Sequence, residues 1–279
     1  MDFPKDIGLT RGFDLPSAVG FPRDDASHPL AERFRHLIQN PAFPCVGAKA
    51  ALARGQIRFV IGRNIGAADD DARLHAALMA FVCRYRARPQ LFQSLVVIFD
   101  RCGGLSEEGF EARMWDRLQA LSDQDSRLGH AYDARVAPDP QDAHFSLSFA
   151  GEAFFVVGLH PGASRKARLF VAPTLVFNLH DQFERLRAEG RYERMRETIQ
   201  ARDVSWAGSV NPMLTRHGER SEAPQYSGRQ VPDDWACPFQ RRAVELRRED
   251  GPIAADLRAG AFRAPPVAER APSAAEQTP

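Results

Sequence analysis

The chain has 279 residues, 44% of them hydrophobic and 26% charged, which suffices for one large domain or two modest ones. Its formal net charge of +1 creates no long-range field, so nucleic acid and anionic membrane surfaces are poor candidate partners. The basic residues are nearly all arginine, a side chain suited to forked pairing with carboxylates or phosphates, although a GC-rich genome leaves the same bias. Cys45, Cys83, Cys102 and Cys237 are far apart with no CxxC pair, which argues against a zinc knuckle or disulfide framework and fits reduced thiols in the cytoplasm. The opening Asp2-Phe3-Pro4-Lys5 begins no apolar run of the kind a signal peptide or membrane span needs.

Taken in chain order, residues 1–24 read as an irregular N-terminal arm, 25–258 as one domain, and 259–279 as an Ala/Pro/Glu/Arg tail too poor in large apolar groups to repay its ordering entropy. Pro29 to Ile38 is the first expected helix. The Ala-rich stretch Ala48 to Ala53 favours another, with Cys45 just ahead of it; a thiol at a helix N-terminus is expected to have a lowered pKa. Phe59 to Ile61 reads as a strand. Behind the acidic run Asp69, Asp70, Asp71, the residues Leu74, Leu78, Phe81, Val82 and Tyr85 recur at helical spacing. Leu95 to Phe99 is the next strand, and Phe110, Met114, Leu118 and Leu121 mark the next helix. Phe145, Leu147 and Phe149 alternate as in a strand, Phe154 to Leu159 forms a second, and the pair turns around Gly151-Glu152. After the strand Leu175 to Leu179, a helix carrying Phe183, Leu186, Tyr192, Met195 and Ile199 is expected to bend near Gly190. Ala201 to Phe239 has little periodicity but many aromatic residues, which suits a functional irregular segment. Tight turns mixed with helical connections predict a single-domain α+β fold, its largely antiparallel sheet covered by helices and followed by a long irregular C-terminal segment.

Chemistry-bearing residues concentrate at strand ends. His160-Pro161-Gly162-Ala163-Ser164-Arg165-Lys166-Ala167-Arg168 leaves a strongly apolar strand, so a histidine and several cations can face an anionic cofactor. A solvated basic turn accounts for the same residues. Cys45 is a second possible iron ligand, as thiolate; its Cys-x-Gly spacing is shared with the ligand loop of cytochromes P450, whose preceding residues are missing here, and a small buried hydrophobe is the competing role. Asn178, His180 and Asp181 close one strand and open a helix, which Asp181 is placed to cap. His217-Gly218-Glu219 has the spacing of two ligands of a facial iron triad, a pattern that also arises by chance.

Together these segments resemble the YqcI/YcgG family. The resemblance rests on Phe43-Pro44-Cys45, on His160-Pro161 with Ser164-Arg165 and Ala167-Arg168, and on Leu175-Val176-Phe177-Asn178-Leu179-His180 with Gln182-Phe183-Glu184. It continues through Gly208-Ser209-Val210-Asn211-Pro212-Met213-Leu214, Ser221-Glu222-Ala223, Gln225-Tyr226-Ser227-Gly228-Arg229 and Trp235-Ala236-Cys237-Pro238-Phe239, covering Phe34 to Phe239. The resemblance implies haem-dependent N-oxygenation, as in the arginine N-hydroxylase of D-cycloserine formation and, closer to this sequence, the pre-guanitoxin N-hydroxylase. It implies haem b and dioxygen, a guanidine-type substrate, an external electron donor and room for a homo-oligomer. In that reading His160 is the first choice of axial ligand and Cys45 its rival, while Ser164, Arg165 and Arg168 hold the cofactor. Asn178 and His180 serve the distal side, Glu184, Glu222 and Tyr226 the substrate, and Trp206 and Trp235 line an apolar pocket. Leu169 departs from the arginine expected there. A haem-binding sensor or carrier without turnover, and a non-haem iron oxygenase built on His217 and Glu219, are the competing functions.

Overall fold

Between residues 57 and 99 the chain builds strand, helix and strand, and this unit sets one edge of the sheet. The computed structural model describes residues 24–101, 103–214 and 218–242. The arm (except Asp24), the expected domain end from 243 to 258, the tail 259–279 and His217 lie outside the described residues.

Two helices come first. Pro29–Gln39 (α1) starts with proline at its first turn and with the His28 ring accepting from Leu30 N–H. Val46–Ala53 (α2) follows the N-cap Cys45, whose Sγ accepts from Ala48 N–H. The strand Ile57–Gly62 (β1) then leads through Asp71–Ala87 (α3) to Ser94–Phe99 (β2), which pairs parallel with β1. Glu107–Arg127 (α4) starts at Ser106, whose hydroxyl accepts from Gly109 N–H. Leu147–Phe149 (β3), Glu152–Leu159 (β4) and Thr174–Leu179 (β5) complete a sheet ordered β1-β2-β5-β4-β3, in which every pairing after the first is antiparallel. His180–Ala188 (α5) and Tyr192–Ala207 (α6) close the regular structure. This is the α+β architecture expected, with one parallel pair that the pattern of strand signals does not reveal.

The alternation of each strand explains the layers. Leu95, Val97 and Phe99 of β2, Phe154 and Val156 of β4, and Leu175, Phe177 and Leu179 of β5 face α3 and α4 in one apolar core. Val96, Ile98, Leu159 and Phe59 point to the opposite face, where Ala31, Phe34, Ile38 and Ala51 of α1 and α2 cover them. The β3–β4 turn is Ala150-Gly151, both at positive φ (54° and 73°), the geometry of a tight two-residue hairpin. Ala150 is held there by its N–H donating to Asp125 at 3.0 Å and its carbonyl accepting from Arg86 at 3.0 Å.

Four local expectations are revised. The single bent helix is two helices, because Gly190 takes φ 66° and breaks the hydrogen-bond ladder. Asp181 does not cap α5; it lies in the first turn, accepts from Tyr85 Oη and pairs with Arg135 at 3.3 Å. Phe145 lies outside β3 and meets Ala137 in an isolated bridge. The irregular segment begins later than Ala201, since α6 runs to Ala207 and ends at Gly208 in the left-handed region.

Packing is tight at Gly158 of β4, where an added Cβ would lie 2.7 Å from Phe110 and 3.0 Å from the Tyr226 carbonyl oxygen. Gly158→Ala is therefore expected to cost about 1–3 kcal/mol, the usual range for overpacking. Urea denaturation measures it; a midpoint equal to wild type would show that α4 and the 226 segment yield freely.

Candidate functional site

The C-terminal irregular segment is fastened to the exposed side of β4 by one guanidinium. Arg168 donates to the Gly158 carbonyl at 3.1 Å, to that of Tyr226 at 3.2 Å and to that of Gln225 at 2.9 Å. Gly158 N–H in turn donates to the Tyr226 carbonyl at 2.7 Å, so residues 225–226 continue the sheet edge beyond the short β3. Burial lowers the Arg168 pKa to about 10, which leaves it charged at neutral pH. Fully buried Tyr226 donates to the Phe154 carbonyl at 3.2 Å and stacks on Trp115 with centroids 5.6 Å apart. Arg229 adds a 2.5 Å pair to Glu111 of α4.

This strap forms one wall of a cleft of about 180 Å³ against α5 and α6. Its apolar lining is Phe155, Phe183, Tyr192, Met195, Ile199 and Leu214, and its polar groups include His180, Glu222, Gln225 and Arg187. His180, 8% exposed at the first position of α5, has its Nε2 at 3.7 Å from Glu184 Oε1. Glu184 is exposed and also binds Arg187 at 2.5 Å. Arg187 lies over the Tyr192 ring at 4.4 Å, and its Nε is buried with no hydrogen-bond partner. Helix α5 is fixed to the start of β2 by Gln182, which accepts from Gln93 N–H and donates to the Gln93 carbonyl, both at 2.7 Å. Asn178 is engaged within the sheet: its Oδ1 accepts from Ser94 Oγ at 2.7 Å and its Nδ2 donates to the Phe155 carbonyl at 3.4 Å.

The structure thus brings His180 and Glu222 into the cleft, with exposed Glu184 beside His180 and with Asn178 and Tyr226 behind the wall at Phe155, whose ring is 5.1 Å from that of Tyr226. The residues expected to hold a cofactor lie elsewhere and are already engaged. His160, 1% exposed, stacks on Phe110 with centroids 4.3 Å apart, and its Nδ1 has no hydrogen-bond partner. Ser164 donates through both N–H and Oγ to Glu107 at 2.9 Å. Arg165 pairs with Asp203 at 2.5 Å. Cys45 is neither exposed nor activated: burial raises its thiol pKa, against partial opposition from the backbone N–H groups of Ala48 and Gly47. Trp206 meets Phe43 at 5.9 Å and Trp235 meets Trp115 at 6.4 Å, so the two indoles belong to different clusters. Glu219 is exposed.

Sequence reasoning missed Arg187, Gln225 and the cleft-facing role of α6. Tyr192, Met195 and Ile199 repeat at helical spacing, a stripe that reads as core and here borders a cavity. Gln225 sits in a segment without periodicity, where only the resemblance gave it weight.

Lined by Phe183, Leu214, Glu222 and Gln225, the cleft draws on four of the sequence blocks that carried the resemblance, on an α+β scaffold. The profile of the YqcI/YcgG family matches residues 34–240, and the chain belongs to that family. No curated protein and no solved structure matches it. Among the described residues no helix is long and apolar enough to cross a membrane.

Burial lowers the His160 pKa below 6.5, Glu107 opposing and Arg168 reinforcing the shift. The unfolded chain therefore binds a proton that the folded chain refuses, and stability falls as the pH drops from about 6.5 toward the folded pKa. His160→Phe, which keeps the ring stack, is expected to flatten that part of the profile by up to about one proton. Urea unfolding of both proteins from pH 7 to 5 checks it; parallel profiles would contradict the assignment.

Proposed function

We propose that this chain is an oxygenase of a guanidine-type nitrogen, a haem-dependent N-hydroxylase of the kind its family resemblance implies, and that the His180 cleft receives the guanidinium. The observation that carries the reading is the cleft itself, an imidazole and a half-buried carboxylate, Glu222, set among apolar walls. A planar cation can pair with Glu222 there, on a lining that also holds the Arg187 and Arg196 guanidinium groups. Its N–H groups can be taken by Glu222 in a charge-assisted pair, while the aromatic rings of Phe155 and Phe183 border its delocalised charge.

The residues expected to cradle a porphyrin do not fit it as they stand. The orphaned His160 Nδ1 has the right donor chemistry, yet Arg165, Arg168 and Ser164 are spent on Asp203, backbone carbonyls and Glu107. The cleft of about 180 Å³ is smaller than the roughly 300–1,000 Å³ usual for cofactor sites. No step is therefore routed through haem, which in this reading supplies activated oxygen, with dioxygen and an external electron donor as co-reactants.

The chain's own contribution is binding and proton handling. Glu222 fixes the cation, and His180 Nε2 can accept a proton from the bound nitrogen, with Glu184 at 3.7 Å stabilising the resulting imidazolium. Removing that proton exposes the nitrogen lone pair that oxygenation requires. The apolar walls limit water beside the reacting nitrogen.

Calorimetric titration of the purified chain with arginine and with a cyclic guanidine tests the cleft, and haemin titration followed by product analysis with reductant and oxygen tests the reaction. Glu222→Gln is expected to weaken binding by about 10- to 100-fold, the range for one lost charged hydrogen bond. His180→Ala is expected to keep binding and lose turnover. Haem-loaded wild type that leaves every guanidine unchanged would remove the enzymatic reading, and unchanged affinity in Glu222→Gln would remove the cleft.

A further inference from the structure

The C-terminal end of α4 carries a second cluster of reactive groups that the His180 cleft does not use. His75 from α3, Asp125 from α4 and His130 from the turn after it place one ligand atom each within 4.8 Å of one another. His75 Nε2 lies 2.8 Å and His130 Nδ1 2.7 Å from the same oxygen, Asp125 Oδ1. The two imidazoles are nearly parallel, 10° apart with centroids at 5.7 Å. Asp125 Oδ1 also accepts from Ala150 N–H at 3.0 Å, whereas its Oδ2 is buried and has no partner. One carboxylate oxygen thus takes three donors and the other none, although a buried carboxylate oxygen without a partner is costly.

We infer that His75, Asp125 and His130 form a binding site for one divalent transition-metal ion of the zinc class. Two imidazole nitrogens and a carboxylate are the N and O donors such ions take, at about 2.0–2.2 Å, and a bound ion gives the unpartnered oxygen a role. Each imidazole needs only to carry its proton on the other ring nitrogen, so that the nitrogen now facing Asp125 presents a lone pair. Burial also separates this cluster from surface histidines: the side chains of His75, Asp125 and His130 are 2%, 1% and 12% exposed, against 69% for His36 and 67% for His144. The role is structural. Through Asp125 and Ala150 the ion ties α3, the end of α4 and the β3–β4 turn into one unit. This inference does not depend on the function proposed for the His180 cleft.

The untagged full chain, stripped with a chelator and dialysed, is titrated with zinc and separately with cobalt. One zinc per chain by elemental analysis, a rise in unfolding midpoint on the order of 5 °C at about 100-fold excess over Kd, and a visible cobalt absorption band are expected. His130→Ala, the substitution least buried of the three, is expected to lose all of these signals. The cobalt titration of wild type carries the test even if Asp125→Asn, which removes the charge that both imidazoles face, fails to fold. No midpoint shift and no cobalt band in wild type would overturn the site, leaving a hydrogen-bonded staple. Undiminished binding by folded His130→Ala would overturn it too, by placing the metal elsewhere.

Discussion

The Arg168 guanidinium is the interaction on which the arrangement of the site depends. It satisfies carbonyls from two segments far apart in sequence, Gly158 in β4 and Gln225-Tyr226 in the C-terminal strap. The Tyr226 carbonyl also accepts from Gly158 N–H at 2.7 Å, and leaving the other two buried carbonyls unpaired would be costly. A long cation with a planar fork of donors is well suited to serve three acceptors from one position. Where Arg168 holds the strap, Glu222 and Gln225 stand beside α5 and α6. The cation that looked suited to a cofactor carboxylate thus builds the cleft from behind.

Two histidines at adjacent strand ends consequently have different environments. His160 ends β4 on the face covered by α4, stacked on Phe110 beside the Gly162 turn, with burial favouring its neutral form. His180 follows β5 directly and opens α5, beside a cavity and next to a carboxylate. Residues that exchange protons with a ligand need such access, and a ring packed into the core lacks it. The loop from His160 to Phe170 is closed on itself, since Phe170 N–H donates to the His160 carbonyl at 3.2 Å and His160 N–H to that of Arg168 at 3.0 Å. Its two arginines are thereby committed to the protein, Arg165 to Asp203 and Arg168 to the strap.

Much of this fold was legible because hydrophobic periodicity is a direct record of burial. α1, α3, α4 and all five strands stand where their apolar residues repeat, and the β3–β4 hairpin where a glycine interrupts the alternation. What periodicity does not record is pairing. That β1 lies parallel to β2, or that β5 inserts between β2 and β4, is decided by long-range packing of strands whose local sequences look alike. The site divides along the same line. His180, Glu184 and Glu222 were recognisable from the resemblance, but their meeting depends on Gly190 splitting one expected helix into two and on an aperiodic strap returning to the sheet. Cys45 shows the opposite error. Its position at a helix N-terminus was read correctly, and desolvation outweighs the helix end there, raising the thiol pKa.

Burial also explains why polar residues in this protein sort into two kinds. Gln182 with Gln93, Asp133 with Arg135 and the Ala153 N–H, and Arg229 with Glu111 are paired inside or beside the core, and each joins elements distant in sequence. Such groups are retained because removing one partner strands the other, not because the pair adds much net stability. Where a buried polar atom is left over, as at His160 Nδ1, Arg187 Nε and Asp125 Oδ2 among others, that logic is incomplete. Arg187 borders the cleft, and Asp125 stands between two imidazoles. Beside Asp125 the missing partner is most economically a cation. His160 Nδ1 lies beside the Gly162 turn, its ring stacked on Phe110.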